Sequence, residues 1–221
     1  MKKFIIAAFI SIVPSVTFRR ELYRLMMNYK IPKSSRVGFL TVIAVSDFSL
    51  GENVNIGMLN LFKGPISVRI GSNSRIGKLN RFTCANHITQ DRFKSMCYTP
   101  IIEFGERTLV LDEHFFDVYG KVSIGNGTWI AGHGSQFWTH GLSVRDRDIS
   151  IGEENYIGSA VRFSPGTSIG SRNVVALGSV VMSKLNCNAS LISGLPAKPF
   201  RSIEEDQKNG KYHFSFEDWS D

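Results

Sequence analysis

From Ile151 onward the apolar positions recur at every sixth residue: Ile151, Ile157, Phe163, Ile169, Val175 and Val181. A small residue follows most of them (Gly152, Gly158, Ser164, Gly170, Ala176), with Met182 the exception. Residues of modest size hold the fifth places, namely Asn155, Val161, Thr167, Asn173 and Ser179. A helix repeats near 3.6 residues and a half-buried strand at 2, so a period of six belongs to neither. It predicts a β-solenoid in which each hexad is one short strand and a corner, with one aliphatic side chain turned inward. Earlier runs share the phase: Leu50, Ile56 and Phe62, then, after a two-residue slip, Ile70, Ile76, Phe82 and Ile88. Val118, Ile124 and Ile130 extend it. The hexads amount to about six turns, a prism roughly 30 Å long at ~4.8 Å per strand spacing. The pattern fails over roughly 89–112 and 141–148, which are expected to leave the coil as loops on the binding side.

Residues 1–35 read differently. MKKFIIAAFISIVPSVTF opens like a signal peptide but has no small-x-small cleavage site, and its uncharged run, which includes Pro14, stops at Arg19. That is short of the ~20 apolar residues a spanning helix needs. In FRRELYRLMMNYKI, a helix would gather Phe18, Leu22, Leu25, Met26 and Tyr29 on one face, with Arg19, Arg20 and Arg24 off it. The reading is a helix that covers one end of the domain. The alternative is a basic amphipathic segment in peripheral contact with an anionic inner membrane. The division is thus an N-terminal helical segment (1–35), a solenoid domain (36–203) and a C-terminal tail (204–221) without a usable motif.

Charge and cysteines narrow the partners. The net charge of +7 favours anionic ligands. No Arg/Lys-rich block or zinc-finger spacing occurs, so nucleic acid is not expected as a partner. Cys84, Cys97 and Cys187 are odd in number and lack CxxC spacing, which points to a reducing, cytoplasmic compartment rather than disulfides or a zinc site. Residues 129–141, WIAGHGSQFWTHG, concentrate two histidines, three aromatics and three glycines where the coil gives way to an excursion. Histidine is the side chain best suited to proton transfer at physiological pH, which makes His133 and His140 candidates, and the aromatics suit a cleft wall.

With the hexads in view, the chain resembles the hexapeptide-repeat acyltransferases, nearest the O-acetyltransferases of sugars and polysaccharides. The most specific stretch is NYIGSAVRFSPGTSIGSRNVVALGSVVMSKLNCNASLISGLPAKPFR, and the likeness covers about residues 50–203. The resemblance implies an all-β left-handed parallel β-helix, a homotrimer with active sites in the clefts between prisms, and acetyl-CoA as co-substrate with no metal.

By the same resemblance His140, in FWTHG, is the catalytic base, although Gly141 stands where proline is frequent; His133 is the second candidate. A neutral imidazole can take the proton of an attacking hydroxyl. Asn86, in FTCANHIT, resembles the asparagine that faces the catalytic histidine in the sugar acetyltransferases; Trp138, with Phe137, would stack against a sugar face. Acceptor binding therefore falls to Asn86, Trp138 and His133. Cofactor binding falls to Tyr156, Ser159, Leu177, Ser183, Lys184, Lys198 and Arg201, the last two matching basic residues that approach the nucleotide phosphates. Leu177 replaces the common alanine and Tyr156 a frequent tryptophan.

The function implied is acetyl transfer to a saccharide hydroxyl through a ternary complex. An N-acyltransferase of an amino sugar, or an antibiotic acetyltransferase, would share the histidine mechanism. Two readings of other kinds compete: a silent trimeric scaffold, and a zinc carbonic anhydrase on the same solenoid, which would need three converging histidines.

Overall fold

The computed structural model describes residues 2–141 and 144–212. Helices α1 (Lys2–Ser11) and α2 (Val16–Met27) precede the first strand, Arg36–Val37, after which short parallel strands dominate. Three columns of paired residues organise them. The first runs Val37, Ile56, Ile76, Val110, Ile130, Ile157, Val175 and Ile192. The second runs Ile43, Phe62, Phe82, Phe116, Phe137, Phe163 and Val181. The third runs Leu50, Ile70, Phe104, Ile124, Ile151, Ile169 and Leu185. A chain that visits the same three parallel sheets in order is a coil. It makes seven turns, and Ser190–Gly194 begins an eighth before folding back antiparallel with Ala197–Ser202.

Column residues are buried, Leu185 excepted, and the second column shows why six-residue spacing holds. Phe62, Phe82, Phe116, Phe137 and Phe163 stack with centroids 4.4, 4.6, 4.4 and 5.1 Å apart and planes within 15° of parallel. Equivalent rings on successive turns sit one strand spacing apart, which matches the distance of an offset stack. Phe137 is therefore core and offers no face to a sugar.

We call the edge between the first and second sheets the first edge, the next the second and the last the third. At the first edge Leu40, Leu59, Leu79, Glu113, Gly134, Ala160 and Gly178 take left-handed backbone conformations two residues before a second-sheet strand. Buried polar side chains satisfy the turning backbone there. Asn60 Oδ1 accepts from Asn80 N–H (2.9 Å), Asn80 Oδ1 from His114 N–H (2.9 Å), His114 Nδ1 from Ser135 N–H (3.1 Å), and Ser135 Oγ from Val161 N–H (3.2 Å). His114 is a link in this ladder, and burial pulls its pKa down to about 4.

Three sequence expectations change. The solenoid has seven turns rather than about six, because Val37, Ile43 and Leu50 form a turn whose steps are not strictly six. The first interruption spans 85–100 and not 89–112: Ile101–Phe104 and Leu109–Asp112 are coil strands, whereas Ile88 lies in the excursion. The two-residue slip stays where the sequence puts it, between Phe62 and Ile70, and the continuous strand Leu61–Ile70 rounds the second edge there. Finally, α2 turns the other way. Arg19 and Arg20 are buried, while Phe18, Leu25 and Met26 are exposed. The arginines are drawn in by unpaired carbonyls at the open end of the prism. Arg19 donates to Val37 O through Nε (3.0 Å) and a terminal nitrogen (2.7 Å) and also to Val13 O, and Arg20 donates to Lys33 O. Tyr23 and Tyr29 complete the cap, their hydroxyls bridging to Thr41 and Ile43, and to Val45, along the edge strand Val42–Leu50, whose far end Lys30 covers through a parallel bridge to Ser49.

Candidate active site

The second edge carries both excursions. In the third turn the chain leaves after Thr83, forms two 3₁₀ segments (Asn86–Thr89 and Asp91–Met96) and returns at Ile101. In the fifth turn it leaves after Trp138 and returns at Ile149. Between them the fourth turn rounds the corner directly through Asp117, Val118, Tyr119 and Gly120. Thr139 clamps that corner: its hydroxyl accepts from Tyr119 N–H (2.8 Å) and Gly120 N–H (3.0 Å) and donates to Asp117 O. Thr99 N–H donates to Tyr119 O (3.1 Å), so the first excursion is held to the same corner.

Tyr119 is the hub. Its ring stacks on His140 (4.3 Å, 21°) and meets Tyr98 edge-on (5.5 Å), and His87 stands 6.1 Å away. Arg147, returning from the second excursion, lies over Tyr98 (4.5 Å) and donates to Met96 O (3.1 Å), joining the two loops. A Cβ at Gly120 would come within 2.4 Å of Arg147 Cγ, so only glycine lets that side chain cross the corner. Residues 142 and 143, in the predicted loop 141–148, lie outside the described residues, as does His213.

His140 is exposed and held by its ring face, which leaves the in-plane nitrogens for hydrogen bonding. Beneath it, Asp117 accepts from the His140 backbone N–H; burial pushes this carboxyl up to about 6, and Oδ2 has no partner among the described residues. Cys84 is buried alongside, its thiol pushed up to about 12 first by burial and then by Asp117, so it is a neutral thiol at pH 7 rather than a nucleophile. Trp138 lies outward beside the same edge, packed on Phe115 (4.9 Å), with its indole N–H donating to Gln136 Oε1 (3.1 Å). Asn86, exposed, opens the first excursion.

The structure thus brings His140, Asn86 and Trp138 to one edge. His133 is not with them. It ends the strand Trp129–His133 at the first edge, opposite Asp112, with the second sheet between it and His140. The residues assigned to the cofactor also divide. Ser159 and Leu177 stand on the first edge, where Gly178 N–H donates to Ser159 O (2.9 Å) and Leu177 is 78% exposed. Lys198 is exposed near the same edge, opposite Ser193 in the terminal hairpin. Tyr156 faces outward from the first sheet, near Trp129 (6.4 Å). Arg201 is bound to Asp206 (2.5 Å) and Tyr212, which hold it more firmly protonated. Ser183 and Lys184 are at the second edge, Lys184 paired with Asp146 of the second excursion (2.9 Å).

Asp117, Tyr119 and Arg147 were not singled out from the sequence. The local signal is an acidic residue inside FFDVYG, a run otherwise apolar, and it becomes informative only once both excursions close over it. Among the described residues no group of three His, Cys, Asp or Glu side chains is placed to hold a metal, so the carbonic anhydrase alternative has no ligand set there.

No family model matches the chain. A curated relative, serine acetyltransferase 2 of Arabidopsis thaliana, is 36% identical over 107 residues, 48% of this chain; the chain spans only about a third (32%) of that protein's length. Among solved structures, a hexapeptide transferase family protein from Anaplasma phagocytophilum superposes with a TM-score of 0.52 at 19% identity, over 76% of this chain and 88% of the other. A hexapeptide-repeat acetyltransferase from Vibrio cholerae, solved with acetyl coenzyme A, gives 0.47 at 19% identity over 92% and 86%. The chain has the fold of the hexapeptide-repeat transferases.

Proposed function

We propose that the protein is an acyltransferase that moves an acetyl group from acetyl-CoA to a saccharide hydroxyl, with His140 as general base. The observation that carries this reading is the convergence of two excursions on an exposed histidine, its ring backed by Tyr119 and its main chain by Asp117. The sequence likeness to a serine acetyltransferase over 107 residues supports acetyl transfer to a hydroxyl. His140 takes the hydroxyl proton as the oxygen attacks the thioester carbonyl. The tetrahedral intermediate then expels the coenzyme A sulfur, which receives the proton from the imidazolium. The Asn86 amide is suited to orient the acceptor or the developing oxyanion.

Assembly follows from the division of the site. Of the residues assigned to the donor, Ser159, Leu177 and Lys198 lie at or near the first edge, whereas Ser183 and Lys184 share the second edge with His140. A thioester held along the first edge of one prism therefore reaches a histidine most directly on its neighbour. That supports a homotrimer of left-handed coils with clefts between first and second edges. The three unpaired cysteines support a reducing, cytoplasmic setting. Serine is the second acceptor to test, favoured by the relative's own activity; an amino group would use the same base.

The test combines acetyl-CoA calorimetry, the mass of the assembly in solution, and thiol release with a panel of sugars, amino sugars and serine. Saturable binding by a trimer with a turnover preference for one acceptor class is the expected result. A folded trimer that ignores acetyl-CoA would leave a scaffold.

A further inference from the structure

Helix α1 lies across the open end of the prism with Ala7 and Ile10 buried, yet beyond Lys2 and Lys3 its outward side is apolar. Phe4, Ile5, Phe9 and Ile12 are all exposed, Phe9 by 67%. Val16 and Phe18 extend the patch across the start of α2. A helix covering a domain end in water would show polar residues there. A contiguous apolar patch ringed by polar groups marks a contact surface.

The charge distribution says what kind. Residues 1–36 hold eight Lys and Arg against the single acid Glu21, while residues 37–221 hold 18 of each sign. The entire net charge of +7 therefore belongs to the cap. Of these cations Lys2, Lys3, Arg24, Lys30, Lys33 and Arg36 are exposed. Lys3 reaches back to Val45 O (2.6 Å), and Lys63, from the second turn, lies 5.6 Å from the Phe4 ring. Two copies meeting through such caps would set like charge against like, which disfavours self-association there. A fixed anionic surface with an apolar layer beneath it satisfies both features at once.

We infer that the capped end docks on a lipid bilayer carrying anionic headgroups. α1 lies in the interfacial plane, its Phe4–Ile12 face among the acyl chains and the cap cations at headgroup level. The ten-residue helix is about 15 Å long, half the ~30 Å hydrocarbon core, and among the described residues no helix is long and apolar enough to cross a membrane. Docking by the end leaves all three prism edges free for assembly.

The experiment is flotation of the full chain with phosphatidylcholine vesicles, with and without phosphatidylglycerol. Binding is expected on the anionic vesicles, at least tenfold weaker on neutral ones, and released by salt. Phe9→Glu with Ile12→Glu is expected to abolish it at unchanged melting temperature and oligomer mass. Lys2→Gln and Lys33→Gln, which touch no packing, should each weaken binding about fivefold. Equal affinity for both vesicle types, or a double variant that binds as well as the parent, overturns the proposal. So does a concentration-dependent rise in mass without vesicles that Phe9→Glu removes, which would make the occupant a second copy. None of these readouts needs an acceptor, so the result stands apart from the reaction.

Discussion

Along the first edge the chain turns within a few residues at every level, left-handed residues repeat from Leu40 to Gly178, and a ladder from Asn60 to Ser135 binds the turning backbone. Along the second edge the chain leaves twice, and the corner between the departures holds a buried carboxyl, a stacked tyrosine and a histidine. Both edges flank the same sheet and rest on the same phenylalanine stack. The regular edge spends its polar residues on its own backbone, so little remains for a ligand except the outward Ser159, Leu177 and Lys198. The interrupted edge places titratable groups where two loops meet, and chemistry becomes available there.

The widest separation between the edges is expected from their histidines. His140→Ala should lower kcat for acetyl transfer by about 10²–10⁴ and leave the KM for acetyl-CoA unchanged, as removal of a general base does. His133→Ala should change kcat less than about twofold. Steady-state kinetics of the two variants decides it. Loss of turnover in His133→Ala with retention in His140→Ala would move the reacting centre to the first edge.

Much of this was legible beforehand because a hexad is a local rule. Ile151, Ile157, Phe163, Ile169, Val175 and Val181 all sit in the predicted inward positions. The rule weakens where an inward residue is supplied out of phase. Val37 and Ile43 were hidden by the seven-residue step from Ile43 to Leu50, and Ile88 kept the phase while leaving the coil. Arg19 and Arg20 defeat the amphipathic reading because a guanidinium can serve a strand carbonyl at Val37 and a turn carbonyl at Lys33, which a leucine cannot. Asp117 and Tyr119 were unreadable for another reason. Their burial depends on loops from turns three and five meeting over turn four, and sequence spacing carries no record of that meeting.

A smaller effect should distinguish the two basic residues near the first edge. Lys198 has no acidic partner within ion-pair distance among the described residues, whereas Arg201 is engaged by Asp206. Lys198→Ala should raise the KM for acetyl-CoA about tenfold at constant kcat, the scale of one charge-assisted contact. Arg201→Ala should raise it less, because its ion pair must first open. A larger effect at Arg201 would mean that Asp206 holds the arginine in place for phosphate instead of competing with it.

The smallest effect is thermodynamic and belongs to the second edge. Asp117 titrates at about 6 in the fold, chiefly because of burial, against about 3.9 in an unfolded chain. The native state therefore holds this proton more tightly than the unfolded state does. Its stability is fully present below about pH 4, declines as pH rises toward 6, and keeps a constant penalty above that. Asp117→Asn has no proton to lose, and its side-chain oxygen can still accept from the His140 N–H. The variant should melt a few degrees above the parent at pH 7–8, the two curves converging below pH 4, since 1 kcal/mol moves Tm by about 2–4 °C in a chain of this size. Melting curves across that range provide the check, and a gap that widens on acidification would mean that Asp117 is stabilised as an anion by a partner. At the first edge the polar ladder includes no carboxyl, so the same substitution has no counterpart there. The first edge has a cost of the opposite sign, since buried His114, pulled down to about 4, loses stability as pH falls below about 6.5. Parent and Asp117→Asn share that cost, so the gap between their curves reports Asp117.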